Sequence, residues 1–162
     1  MMAIPHMLVG ASVAQATRRP IIGWPAALAS HLVLDSLPHL AAHSFFGDDS
    51  GSPTLPESIF AICDTAVGVA ILWWILRGYR HRRLAVGGAF FALLIDLADH
   101  LPPWGHAFNQ WPGTAWLAEI HVAVQYNLTT AEWPLGMGTQ AFLCVVSIWA
   151  LLRYRRSEGE SA

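Results

Sequence analysis

Long apolar runs alternate with short polar breaks along the whole chain. Residues 59–76 are almost wholly apolar and stop at Arg77. A second run, 84–101, is opened by Arg82-Arg83 and closed by Pro102-Pro103, and a third, 133–152, is closed by Arg153. Each approaches the ~20 residues that an α-helix needs to cross a hydrocarbon core ~30 Å thick. Residues 21–37 make a shorter run, with Pro25 close to its start, where proline is tolerated. Residues 4–17 are the weakest segment and read as a short or tilted span inside a bundle. The pattern predicts an all-α integral membrane protein of about five transmembrane helices.

The breaks differ in character. Residues 46–56 are rich in Gly, Ser, Asp and Pro and read as a loop. In 114–128, Trp116, Leu117, Ile120, Val124 and Leu128 recur near helical spacing, which predicts a short helix lying at the interface.

The runs also resemble one another. Arg18-Arg19-Pro20-Ile21-Ile22-Gly23 aligns with Arg82-Arg83-Leu84-Ala85-Val86-Gly87. The same gapless register brings Asp35-Ser36-Leu37-Pro38 onto Asp99-His100-Leu101-Pro102. Upstream, His6-Met7-Leu8-Val9-Gly10 resembles Asp64-Thr65-Ala66-Val67-Gly68 in a slightly shifted register. The expectation is one transmembrane domain over 1–162. It holds two parallel-repeat helical hairpins (about 5–40 and about 63–104), the interfacial helix (about 114–128) and a last helix (about 133–152).

Composition agrees with a lipid solvent. Hydrophobic residues make up 54% of the chain and charged ones 12%, against the roughly 25% charged residues of soluble domains. The nine basic residues are all arginines, confined to 18–19, 77–83 and 153–156. With the first helix entering from outside, all three groups fall on one side, which the positive-inside rule makes cytoplasmic. This predicts a multi-pass topology with the N-terminus outside and the C-terminus in the cytoplasm. No basic stretch is interleaved with aromatic residues, so nucleic-acid binding has no support. Cys63 and Cys144 both sit in apolar runs, which disfavours a disulfide framework or a thiolate metal site. No positive charge precedes the first apolar stretch, and Pro5 and His6 interrupt its start, so it does not read as a cleaved signal peptide.

Against this apolar background the ionisable residues stand out, because one within a span costs about 2.5–3.5 kcal/mol on insertion scales. His31 and Asp35 are one helical turn apart, and His39 follows past Pro38. Asp96, Asp99 and His100 form a second cluster, Asp64 lies within the third helix, and His6 is near the start of the first. His121 lies on the expected interfacial helix with Gln125 one turn on. The arginine-derived topology puts all of them at the outer end. Imidazole and carboxylate donors suit Zn²⁺ first, or Mn²⁺ or Fe²⁺. The candidate metal ligands are His31, Asp35, Asp64, Asp96, Asp99 and His100, then His6, His39 and His121, enough for one or two ions. Asp35 and Asp99 are the leading catalytic candidates.

Three of these strings resemble a known family: Pro5-His6-Met7-Leu8-Val9-Gly10, His31-x-x-x-Asp35-x-x-Pro38-His39 and Asp96/Asp99-His100. So do His121-x-x-x-Gln125, Trp133-Pro134-Leu135-Gly136 and Gln140. They are similar to the small bacterial inner-membrane proteins described as membrane-bound metal-dependent hydrolases. The Thr-His-Arg or Thr-His-Ser segment of better-known members has no counterpart, Ala42-His43-Ser44 being the nearest text. The resemblance implies a bacterial inner (plasma) membrane location and a divalent-metal hydrolase. The site's position at the outer boundary favours an amphiphilic substrate such as a phospholipid or lipid-linked ester. The alternative expectation is a metal-ion or proton transport or sensing protein, since intramembrane His and Asp also mark ion pathways.

Overall fold

The computed structural model describes residues 1–47, 53–100 and 104–159. The helices are α1 (Ala3–Thr17), α2 (Pro20–Asp35), α3 (His43–Phe46), α4 (Leu55–Leu76), α5 (Arg82–His100), α6 (Trp104–Gln110), α7 (Ala115–Val124) and α8 (Trp133–Gly159). Among the described residues there is no strand, only an isolated parallel bridge between His39 and Asn127.

Local chemistry sets the helix ends. Thr54 and Glu57 form a capping box that starts α4 several residues before the apolar run at 59. A second box, Thr129 with Glu132, turns the chain into α8, which continues through Arg153, Arg155 and Arg156 beyond the expected end at 152. Pro20 opens α2 where its missing N–H is harmless. Arg18 takes a left-handed conformation (φ 54°) to end α1.

α1 is the centre of the bundle, packed against α2, α4, α5 and α8. Small residues allow this. A Cβ on Gly10 would run into Ala92 Cβ and the Gly88 carbonyl, and one on Gly88 into the Gly10 carbonyl. α1 and α5 therefore touch backbone to backbone, as small-residue stripes permit. Met7, Leu8, Ala11, Leu72, Ile75 and Leu151 fill the core around this crossing.

Among the described residues two helical segments, Leu55–Leu76 and Thr130–Ser157, are long and apolar enough to cross a membrane. Only 22% of each apolar window is buried, unlike the core helix of a soluble domain. Trp73, Trp74, Phe142, Val145 and Trp149 face outward from them. α1 and α2, with 15 and 16 residues, are about 22 and 24 Å long at 1.5 Å per residue.

The interfacial helix is shorter than expected. α7 stops at Val124, and 125–128 run extended instead of helical. The Tyr126 amide donates to Asp35 O (2.8 Å), the His39 amide to Tyr126 O (3.3 Å) and the Leu128 amide to His39 O (2.8 Å). These bonds strap the end of α7 to the end of α2. α6 was not expected from the sequence. Asp48 and Asp49, read as part of an outer loop, lie outside the described residues.

Candidate metal centre

His31, Asp35, Asp96 and His121 come from α2, α5 and α7, and each offers one donor atom within 4.8 Å of the other three. The spacing of α2 puts His31 and Asp35 on one face, with His31 Nε2 3.1 Å from Asp35 Oδ2. The α1–α5 crossing draws α5 close, so Asp96 Oδ1 lies 3.5 Å from His31 Nε2. The strap brings in α7, and His121 Nε2 sits 3.2 Å from Asp35 Oδ2, 3.4 Å from Asp96 Oδ1 and 3.2 Å from His31 Nε2. A tetrahedron with ligand bonds of about 2.0–2.2 Å has edges of roughly 3.3–3.6 Å. The observed separations approach those edges, so the four residues can hold one metal ion.

The surrounding bonds orient the donors. Nδ1–H of His31 donates to the Ala92 carbonyl at 2.7 Å, which leaves the Nε2 lone pair facing the other donors. His6 Nε2–H donates to Asp35 Oδ1 at 3.1 Å, and the His6 ring stacks on His31 at 4.2 Å. The Met1 nitrogen lies 3.0 Å from the same oxygen. Asp35 Oδ2, by contrast, is buried with the Nε2 atoms of His31 and His121 beside it. A buried carboxylate oxygen between two imidazoles suits a cation ligand.

His121 stands on α7, with the Gln125 amide 3.2 Å from its Nε2. Burial alone would lower its pKa, but the Asp35 and Asp96 carboxylates facing it outweigh this and push it up to about 9. His31, Asp35 and His121 are fully or almost fully buried, whereas the Asp96 side chain is 33% exposed. The cluster is thus open on the Asp96 side.

The remaining sequence candidates fall outside this group. Asp99 lies 3.8 Å from His121 Nδ1 and accepts from the Asn109 amide at 2.7 Å, so it stands behind His121. His6 touches the group only through Asp35. His39 is buried in the strap with Nδ1–H donating to Leu37 O at 2.8 Å, and burial holds its imidazole below the ordinary range. Asp64 is not brought to this group: its carboxylate accepts the Ala3 and Ile4 amides at the start of α1. Its position opposite His6 in the repeat led to a different role, because free amides at a helix start attract a carboxylate. The His100 side chain lies outside the described residues. Sequence reading missed the Ala92 carbonyl and Asn109. A backbone acceptor has no residue signature, and Asn109 belongs to the unforeseen α6.

No protein-family description matches the chain, and no curated protein or solved structure matches it.

Proposed function

We propose that this chain is a multi-pass membrane protein, and that His31, Asp35, Asp96 and His121 form the metal site of a hydrolase acting on an amphiphilic ester at the outer face of the membrane. The observation that carries this reading is the convergence of four donor atoms from three helices, the buried Asp35 Oδ2 among them. The resemblance of the His31/Asp35 and Asp96/Asp99 strings to membrane-bound metal-dependent hydrolases points the same way.

Depth supports the substrate class. Counted from the arginine pairs at their cytoplasmic ends, Asp35 lies about 24 Å and Asp96 about 20 Å along their helices. Both fall short of a ~30 Å hydrocarbon core. A site at that depth, opened beside Asp96, lies roughly 6–10 Å inside the outer edge of the core, where an amphiphile already in the bilayer reaches it more readily than a water-soluble substrate does. The arginines support the orientation: Gln15 at the end of α1 donates to His81 O at 2.9 Å, and Arg18, Arg80 and Tyr154 line one cleft, so the basic segments share one end.

When bound, a divalent ion supplies Lewis acidity, lowering the pKa of water and polarising a phosphoryl or acyl oxygen. The chain's own contribution is placement. Ala92 O holds the His31 ring in its donor tautomer, and His6 holds one oxygen of Asp35 so that the other faces the site. Asp99 lies behind His121, where it favours the imidazole's outer N–H.

The test is turnover of a panel of carboxylic and phosphoric ester amphiphiles by metal-loaded protein in proteoliposomes. Hydrolysis that falls to background in Asp35→Asn and Asp96→Asn is expected. Metal uptake into the vesicles without turnover of any ester would overturn the hydrolase reading in favour of transport.

A further inference from the structure

An apolar cavity lies beside the metal site, not within it. It is a groove of about 520 Å³ between α5, α6 and the start of α7, lined by Leu94, Leu97, Ala98, Ala107, Phe108 and Trp111. This volume is in the range of small-molecule sites. Its chemistry is hydrocarbon throughout. The one hydroxyl on its wall, Thr114 Oγ1, already donates to Phe108 O at 2.6 Å. Among the described lining residues the other polar side-chain group is the indole N–H of Trp111, on the exposed rim.

Its position ties it to the chemistry. Leu97 and Ala98 lie between Asp96 and Asp99 on α5, so the groove occupies the next face of the helical turn that carries the site's exposed carboxylate. Thr114, at the start of α7, stands two turns before His121. Both walls therefore run directly to metal-site residues. The groove also opens outward, since Phe90 and Trp111 on its rim are 53% and 64% exposed.

We propose that this groove holds one hydrocarbon chain of the substrate, a long-chain acyl or isoprenoid amphiphile, and delivers its ester to the open side beside Asp96. This rests on the membrane-hydrolase reading above and adds to it the choice of substrate. Selectivity comes from the length and shape of the groove, because a chain entering it from bilayer hydrocarbon leaves an equally apolar solvent and gains by packing alone.

The test separates the groove from the chemistry. Wild-type protein is reconstituted in phospholipid vesicles with a trace of phosphatidic acid bearing a diazirine in its acyl chain. After illumination, labelled residues are mapped by mass spectrometry. Labelling at Ala107–Trp111 should exceed that at Trp73 and Trp74 on the outward face of α4, and saturate with added long-chain but not short-chain ester. Ala107→Trp, on an exposed position of α6, should lower it several-fold with metal content unchanged. Labelling no stronger than at Trp73 and Trp74, or unaffected by long-chain competitor, would reduce the groove to ordinary lipid-facing surface and overturn the proposal. This readout needs no turnover, so a failure of hydrolysis remains distinguishable from a failure of the groove.

Discussion

Asp35 divides its two oxygens between different tasks. Oδ1 accepts from His6, while Oδ2 lies between the Nε2 atoms of His31 and His121. Removing a partner that only orients a ligand typically costs 10–100-fold in metal affinity. His6→Ala should therefore weaken metal binding by about that factor in chelator competition, whereas His31→Ala should abolish it; equal loss in both would contradict the division. His121 provides a second check. Its pKa of about 9 means that it is protonated at neutral pH in the metal-free protein, and a ligand imidazole must be neutral. Metal binding should thus expel a proton, and affinity should rise about tenfold per pH unit between pH 7 and 9. A flat pH profile would mean that His121 does not ligate. Some of this was legible in the sequence. The His31/Asp35 spacing marks one helix face by itself, and α5 displayed Asp96 and Asp99 together. Choosing Asp96 for the cluster and Asp99 for the layer behind it required the rotation of α5, which packing sets. Asp64 misled because a repeat carries over position but not partner.

At the scale of elements, the close crossing of α1 and α5 positions the site, because Gly10 and Gly88 meet just below the turn whose Ala92 carbonyl anchors His31. Gly88→Val should force the helices apart at a cost of about 1–3 kcal/mol. The expected result is a lower melting temperature in detergent together with weakened metal binding; unchanged values for both would show that the crossing is not close. The apolar runs of α4, α5 and α8 were readable from hydropathy, and the Thr54/Glu57 and Thr129/Glu132 capping boxes were present to be read. The end of α7 was not. Residues 125–128 keep an apolar spacing compatible with helix, and only the waiting partners Asp35 O and His39 make the extended strap the better arrangement.

For the whole molecule, the arginines and the candidate ligands lie at opposite ends, and among the described residues two helices expose apolar faces suited to lipid. The membrane topology proposed above should make the two ends react asymmetrically. In a Cys63→Ala/Cys144→Ala background, Ala131→Cys should be labelled by an impermeant maleimide from outside intact cells, and Arg80→Cys only after permeabilisation. The reverse pattern would invert the topology and place the metal site towards the cytoplasm. The arginine pattern is the sequence feature on which this proposed orientation rests. The first segment was expected as a short or tilted span inside a bundle; which neighbours surround α1 was beyond the sequence, because a short helix with little amphipathic contrast does not mark one packing face.

Elemental analysis of the detergent-purified protein, wild type beside the Asp35→Asn/Asp96→Asn double variant, tests the central claim most directly. The account expects close to one equivalent of zinc, manganese or iron per wild-type chain, and its loss in a variant that keeps its helical circular dichroism. No metal in the wild type after reconstitution with each of the three ions, or the same content in both proteins, would contradict it.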